Sequence, residues 1–204
     1  MDSVFILKQG SSYLSLSKQF FEFLKQKIEN VSFAYIIEMT TGCKVQPLSS
    51  VDDVVVDEIY HSAKEVLEWT KNRDFSGMRP NEISNELEKQ LREKLGGEIP
   101  EGKTAGYPNI LIQRGSENYY IEVKLAGEEQ LDSGFRTFYY EPMELTKVTK
   151  DARHVMVGYV HRNKKVVSFK IVDLSKINVS LKNEFNTSNK ELYKSGATVR
   201  EYSS

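Results

Sequence analysis

The chain has 204 residues, 39% apolar and 28% charged, with a formal net charge of −1. That length admits one large domain or a core with a smaller subdomain, and the composition, without long polar tracts, excludes disorder. No apolar run approaches the roughly twenty residues of a membrane span, and the single cysteine, Cys43, excludes internal disulfides and thiolate-rich zinc sites.

The start, MDSVFILKQGSS, carries an acid at position 2 and too short an apolar run for a signal peptide, so a reducing, cytoplasmic setting is expected. Charge is unevenly placed. Residues 1–100 hold 12 basic and 16 acidic side chains, residues 101–204 hold 16 and 13. Between positions 147 and 170 seven cations face one acid, Asp151, an excess that would attract a polyanion if it lies on one face and is otherwise an ordinary solvated surface.

In chain order, residues 13–28 predict a helix with Leu14, Phe20, Phe21 and Leu24 on one side, and FAYIIEM (33–39) suggests a strand, an assignment its short apolar run leaves ambiguous. A second helix is predicted over 54–71. NRDFSGMRP (72–80), with its glycine and proline, is the expected boundary between a mainly helical part (1–79) and a second part (80–204). A third helix, NEISNELEKQLREKL, starts after Pro80 and stops at Gly96-Gly97. Ile83, Leu87, Leu91 and Leu95 form its apolar stripe; Glu82, Glu86 and Glu93 fall opposite, whereas Glu88 lies at the stripe's edge.

Residues 105–127 read as a hairpin closed at Gly115-Ser116-Glu117-Asn118. In YYIEVKL, Tyr119, Ile121, Val123 and Leu125 point one way and Tyr120, Glu122 and Lys124 the other. A turn about Ser116-Glu117 would set Asn109 opposite Lys124 and diagonal to Glu122. A polar segment follows, then the strand HVMVGYVHR, a turn at Asn163-Lys164, and the alternating run KVVSFKIVDL. This order implies an α/β or α+β fold with a central mixed sheet flanked by helices.

A carboxylate and an ammonium two residues apart on a strand face either pair structurally or hold an ion. Four features favour the second: Pro108-Asn109 at a strand start, the turn, Glu122-x-Lys124 on an alternating strand, and a preceding helix with Glu88 at its edge. Together these resemble the PD-(D/E)XK nuclease superfamily, the fold of most type II restriction endonucleases, over about residues 80–173; FRTFYYEP and KDARHVMVGYV add to the likeness. The resemblance implies Mg²⁺-dependent hydrolysis of double-stranded DNA at a short sequence, with Glu122 as a metal ligand, the Val123 carbonyl as a second, Lys124 as the catalytic lysine, and Glu88 as a further carboxylate. It also implies a homodimer on a palindromic site. Residues 1–79 lie outside the likeness and are expected to serve dimerisation or DNA contact.

Asn109 departs from the superfamily pattern, which places an aspartate there. Its amide offers the metal a neutral oxygen in place of a charged one, which weakens ion binding. An engineered Asp→Asn exchange that keeps DNA intact is the favoured account. A natural use of Asn109 or Glu88, or a domain that binds without cutting, are the alternatives. A repair or recombination nuclease of the same fold and a silent DNA-binding module are the competing functions.

Lys103, Arg136, Lys147, Lys150 and Arg153, near Tyr139 and Tyr140, are the candidate DNA contacts, Arg136 for base readout and the lysines for phosphates. His61, His154 and His161 lack zinc spacing, and a structural hydrogen bond is expected for His154. No G-x-x-x-x-G-K-[ST] loop or G-x-S-x-G elbow is present.

Overall fold

The computed structural model describes residues 28–102, 106–132, 140, 146–181 and 200. Val31–Val179 form one compact unit, and Met1–Asn30 with Ser180–Ser204 form a second. The helix expected at 13–28 falls outside the described residues up to position 27, and Ile28 opens a strand. Among the described residues no helix is long and apolar enough to cross a membrane.

The elements are β1 (Ile28–Ser32), α1 (Phe33–Thr41), β2 (Val45–Gln46), α2 (Asp53–Thr70), α3 (Pro80–Leu95), β3 (Ile110–Arg114), β4 (Glu117–Gly127), β5 (Ala152–Arg162), β6 (Lys165–Asp173) and β7 (Asn178–Leu181). The stretch expected as a strand at 33–39 is instead α1. Local chemistry explains the correction: Ser32 caps the helix by accepting from the Tyr35 N–H, and Gly42 ends it in the left-handed conformation at φ 75°. Phe33 and Ile37, one turn apart, are its buried face.

The expected mixed sheet is present. β4 and β5 run parallel at its centre, β3 pairs antiparallel with β4, and β5 carries β6 antiparallel and the short β2 parallel on its other side. A glycine at φ 60° lets β3 turn into β4 through the two-residue loop Gly115-Ser116. The turn therefore comes one residue earlier than the sequence suggested, and Ile110 pairs with Ile121. Asn109 lies just before the first regular pair, with its N–H on the Ile121 carbonyl and its Oδ1 on the Val123 N–H, and is not opposite Lys124. The β5–β6 turn falls at Asn163-Lys164, as expected, with both residues at positive φ.

Both sheet faces are covered. On one, α2 and α3 bury Ile59, Val66, Ile83, Leu87 and Leu91 against Ile110, Ile112, Tyr119, Ile121 and Val123. Each such side chain contributes about 1.5–3 kcal/mol. α2 thus belongs to the same core as α3. On the other face, Phe33 and Ile37 of α1 pack with Val45, Tyr107, Leu111, Tyr120 and Val148. The odd and even residues of β4 therefore serve different cores, and Glu122 and Lys124 share the α1-side face with Tyr120.

α3 is anchored at both ends. The Glu82 carboxylate accepts from the Arg79 N–H at 2.7 Å, and beyond the helix the Gly97 N–H donates to the Arg92 carbonyl at 2.9 Å. Gly97 then passes tightly by β3: an added Cβ would lie 2.5 Å from Ile110 Cγ2 and 3.0 Å from Ile112 Cγ2. Gly97→Ala is expected to cost about 1–3 kcal/mol by overpacking, read as a lower urea midpoint with an unchanged slope.

Candidate active site

Four elements meet around Glu122: α3, the segment entering β3, β4 itself, and the segment before β5. Glu122 is 2% exposed. Lys124 lies two residues along the same strand face, and its Nζ is 2.6 Å from Glu122 Oε1. The other oxygen, Oε2, is buried and has no hydrogen-bond partner. Burial raises the Glu122 pKa, opposed by the charge and hydrogen bond of Lys124, by the charge of Lys147 and by the Asn109 backbone N–H.

Asn109 faces this pair from the entrance to β3. Its side-chain Oδ1 accepts from the Val123 N–H at 2.8 Å and its own N–H donates to the Ile121 carbonyl at 3.2 Å. The amide side chain thus continues the β3–β4 ladder past the last regular pair. The preceding peptide bond, Tyr107–Pro108, is cis.

Glu88 reaches towards the same place from the helix layer. It is about a quarter exposed, with an oxygen 3.5 Å from the Arg92 guanidinium. Burial raises its pKa, Arg92 lowers it, and the negative charge of Glu122 raises it further. The charge of Glu122 thus acts on Glu88.

The candidate DNA contacts divide. Lys103, Arg136 and Tyr139 lie outside the described residues. Lys150 is exposed. Lys147 is 4% exposed, and its ammonium donates to the Gly106 carbonyl at 3.0 Å and the Pro108 carbonyl at 3.1 Å. Burial lowers its pKa while Glu88 and Glu122 raise it. Arg153 lies 2.5 Å from the buried Asp52 and also pairs with Glu117. Both cations thus have partners within the fold, a role that sequence alone does not distinguish from a surface one. Tyr140 hydrogen-bonds Thr40 of α1 at 2.6 Å.

His154 has the structural role expected of it. Its Nδ1 is 2.5 Å from the Tyr107 hydroxyl, and Phe33 and Tyr120 pack against the ring. Burial depresses its pKa to about 3. An unfolded histidine titrates near 6.5, so the stability tied to the neutral ring is complete above that pH. It is lost as pH falls from 6.5 towards 3, by up to about 1.4 kcal/mol per pH unit. Urea unfolding at pH 7, 6 and 5 should show this slope, and His154→Phe should flatten it; equal slopes would refute the assignment.

The donor set can be tested against a divalent cation. A hard ion such as Mg²⁺ keeps several waters and needs only one or two carboxylates. Glu122 offers a buried, otherwise unsatisfied oxygen on a rigid strand, with the Val123 carbonyl and Glu88 as further oxygen donors. These residues fit the ion, although among the described residues no group of three or more His, Cys, Asp and Glu could hold a metal.

A mixed sheet between helix layers, with a hairpin that carries Pro-Asn on one strand and Glu-x-Lys on the next, defines a restriction-endonuclease-like protein of the PD-(D/E)XK class. The sequence comparisons narrow this. Residues 26–196 match the model of the type II restriction enzyme MjaV family. The chain is also 31% identical over 208 residues to the type II restriction enzyme MjaV of Methanocaldococcus jannaschii, covering 86% of this chain and 90% of that protein. This chain belongs to the type II restriction enzyme MjaV family. No solved structure matches it.

Proposed function

We propose that the protein is a type II restriction endonuclease that hydrolyses phosphodiester bonds of double-stranded DNA at a short specific sequence with Mg²⁺. The observation that carries this reading is Glu122, a buried carboxylate with one oxygen paired to Lys124 and the other unsatisfied, in a chain of a restriction-enzyme family. Glu122 and the Val123 carbonyl would hold the ion, with Glu88 as the further carboxylate. When bound, Mg²⁺ neutralises charge at the scissile phosphate and acidifies water. Lys124 fixes the Glu122 carboxylate and presents its ammonium where a water and a phosphate oxygen would be oriented. Asn109 Oδ1 accepts from the Val123 N–H and so holds that peptide, and the neutral Asn109 amide makes this form a weak cleaver.

Lys150, Lys103 and Arg136 are the proposed DNA contacts, the lysines to phosphates and Arg136 to a base edge. A homodimer suits a palindromic site, since each protomer's site cuts one strand.

The test is cleavage of a mixed-sequence plasmid with Mg²⁺ by this chain and by Asn109→Asp. Discrete fragments support restriction. Cutting confined to branched or damaged DNA assigns a repair nuclease, and DNA binding without cleavage by either form assigns a silent binding module. Glu122 must be ionised to hold the ion, and burial raises its pKa in the metal-free protein, so cleavage at low Mg²⁺ should show an acid limb. Because the ion competes with the proton for Glu122, that limb should move to lower pH as Mg²⁺ is raised, and a limb that does not respond to Mg²⁺ would refute the role given to Glu122.

A further inference from the structure

Lys147 stood out in the sequence only as one of several cations between two strands. In the fold its ammonium is buried and hydrogen-bonded to the carbonyls of Gly106 and Pro108. The Pro108 carbonyl belongs to the peptide unit whose nitrogen is that of Asn109. Fixing it therefore fixes where Asn109 begins. From that point the Asn109 N–H reaches the Ile121 carbonyl, and its Oδ1 reaches the Val123 N–H. These two contacts flank Glu122.

The segment needs such a support. Regular β3–β4 pairing stops at Ile110↔Ile121, so Asn109 and the residues before it lack ladder partners of the usual kind. The Gly106 and Pro108 carbonyls lie in a region where Tyr107 and Pro108 are buried, and a buried carbonyl without a donor is costly. A single ammonium satisfies both. An uncharged side chain of similar length would fill the space without donating. The negative charges of Glu88 and Glu122 also favour an ammonium here.

We propose that Lys147 is a positioning residue of the nuclease site: its two hydrogen bonds hold the Gly106–Pro108 backbone so that Asn109 is set against Val123 and Glu122. The residue acts through Asn109 and touches neither ion nor DNA. Its contribution to catalysis rests on the reading of Glu122 as a metal ligand, but its contribution to geometry does not.

The experiment separates these two links. Amide hydrogen exchange on the full chain, below the unfolding transition, is measured for Lys147→Met and Lys147→Arg. Mn²⁺ affinity is measured in parallel, with Glu122→Gln as the reference for loss of the ion site. In Lys147→Met, exchange of the Val123 N–H is expected to rise at least about tenfold, while amides in the β5–β6 hairpin keep their protection. Mn²⁺ binding should weaken about tenfold, the scale of lost ligand support, and Lys147→Arg should restore part of both. A uniform rise in exchange, or none at Val123, overturns the proposal. Local exposure of Val123 with unchanged Mn²⁺ affinity overturns its catalytic half if Glu122→Gln abolishes binding. If Glu122→Gln also leaves Mn²⁺ binding unchanged, the metal reading fails and the positioning of Asn109 by Lys147 stands.

Discussion

Asn109→Asp is expected to strengthen Mg²⁺ binding at least about tenfold and to raise DNA cleavage on the order of a hundredfold. The geometry makes the substitution nearly isosteric. One carboxylate oxygen would keep the 2.8 Å contact with the Val123 N–H, and the other would take the place of the amide nitrogen. That second oxygen adds a negative charge beside Glu122, which is already buried and within reach of the Asn109 backbone N–H. Without metal, two facing carboxylates repel, so the aspartate form should be less stable than the parent and more dependent on Mg²⁺. Melting temperatures with and without the ion measure this directly. A variant that gains no Mg²⁺-dependent stabilisation and no cleavage would show that the charge at position 109 is not what limits this site.

Glu122→Gln should lower metal-dependent cleavage on the order of a thousandfold, since the only carboxylate with a buried, unsatisfied oxygen among the described residues is lost. Lys124→Met should cost on the order of a hundredfold by a different route. The 2.6 Å pair is what most opposes the effect of burial on Glu122. Without it the carboxylate pKa rises further, and the acid limb of the pH–rate profile moves up. The sign is definite: a carboxyl that holds its proton to higher pH binds the ion only at higher pH. Glu122→Gln should instead abolish the metal dependence at every pH. Two profiles that coincide would mean that the residues act only as a structural ion pair.

Part of the site could be read from local pattern. Strand alternation put Glu122 and Lys124 on one face, and the fourfold spacing of Ile83, Leu87, Leu91 and Leu95 left Glu88 at the edge of the helix stripe. Both rules depend on backbone geometry that holds within one element. Reading failed where an outcome depended on a turn or a cap. The β3–β4 register hung on which two residues turn, and Gly115 at φ 60° decided it. Residues 33–39 are too short an apolar run to separate strand from helix, and the Ser32 cap and Gly42 stop that make a helix lie just outside it.

The amino-acid order by itself determined the alternating Glu-x-Lys strand, the amphipathic α3 with its glycine stop, and the neutral side chain at position 109. Each follows from residue type and a period of two or of nearly four. Tertiary structure alone decided that Asn109 accepts from the Val123 N–H beside Glu122, that one oxygen of Glu122 is buried without a partner, and that Lys147 is buried against the segment that enters β3. These depend on contacts between segments that are distant in the chain. Burial, which sets the cost of each charge, is a property of the packed molecule and of no single stretch of it.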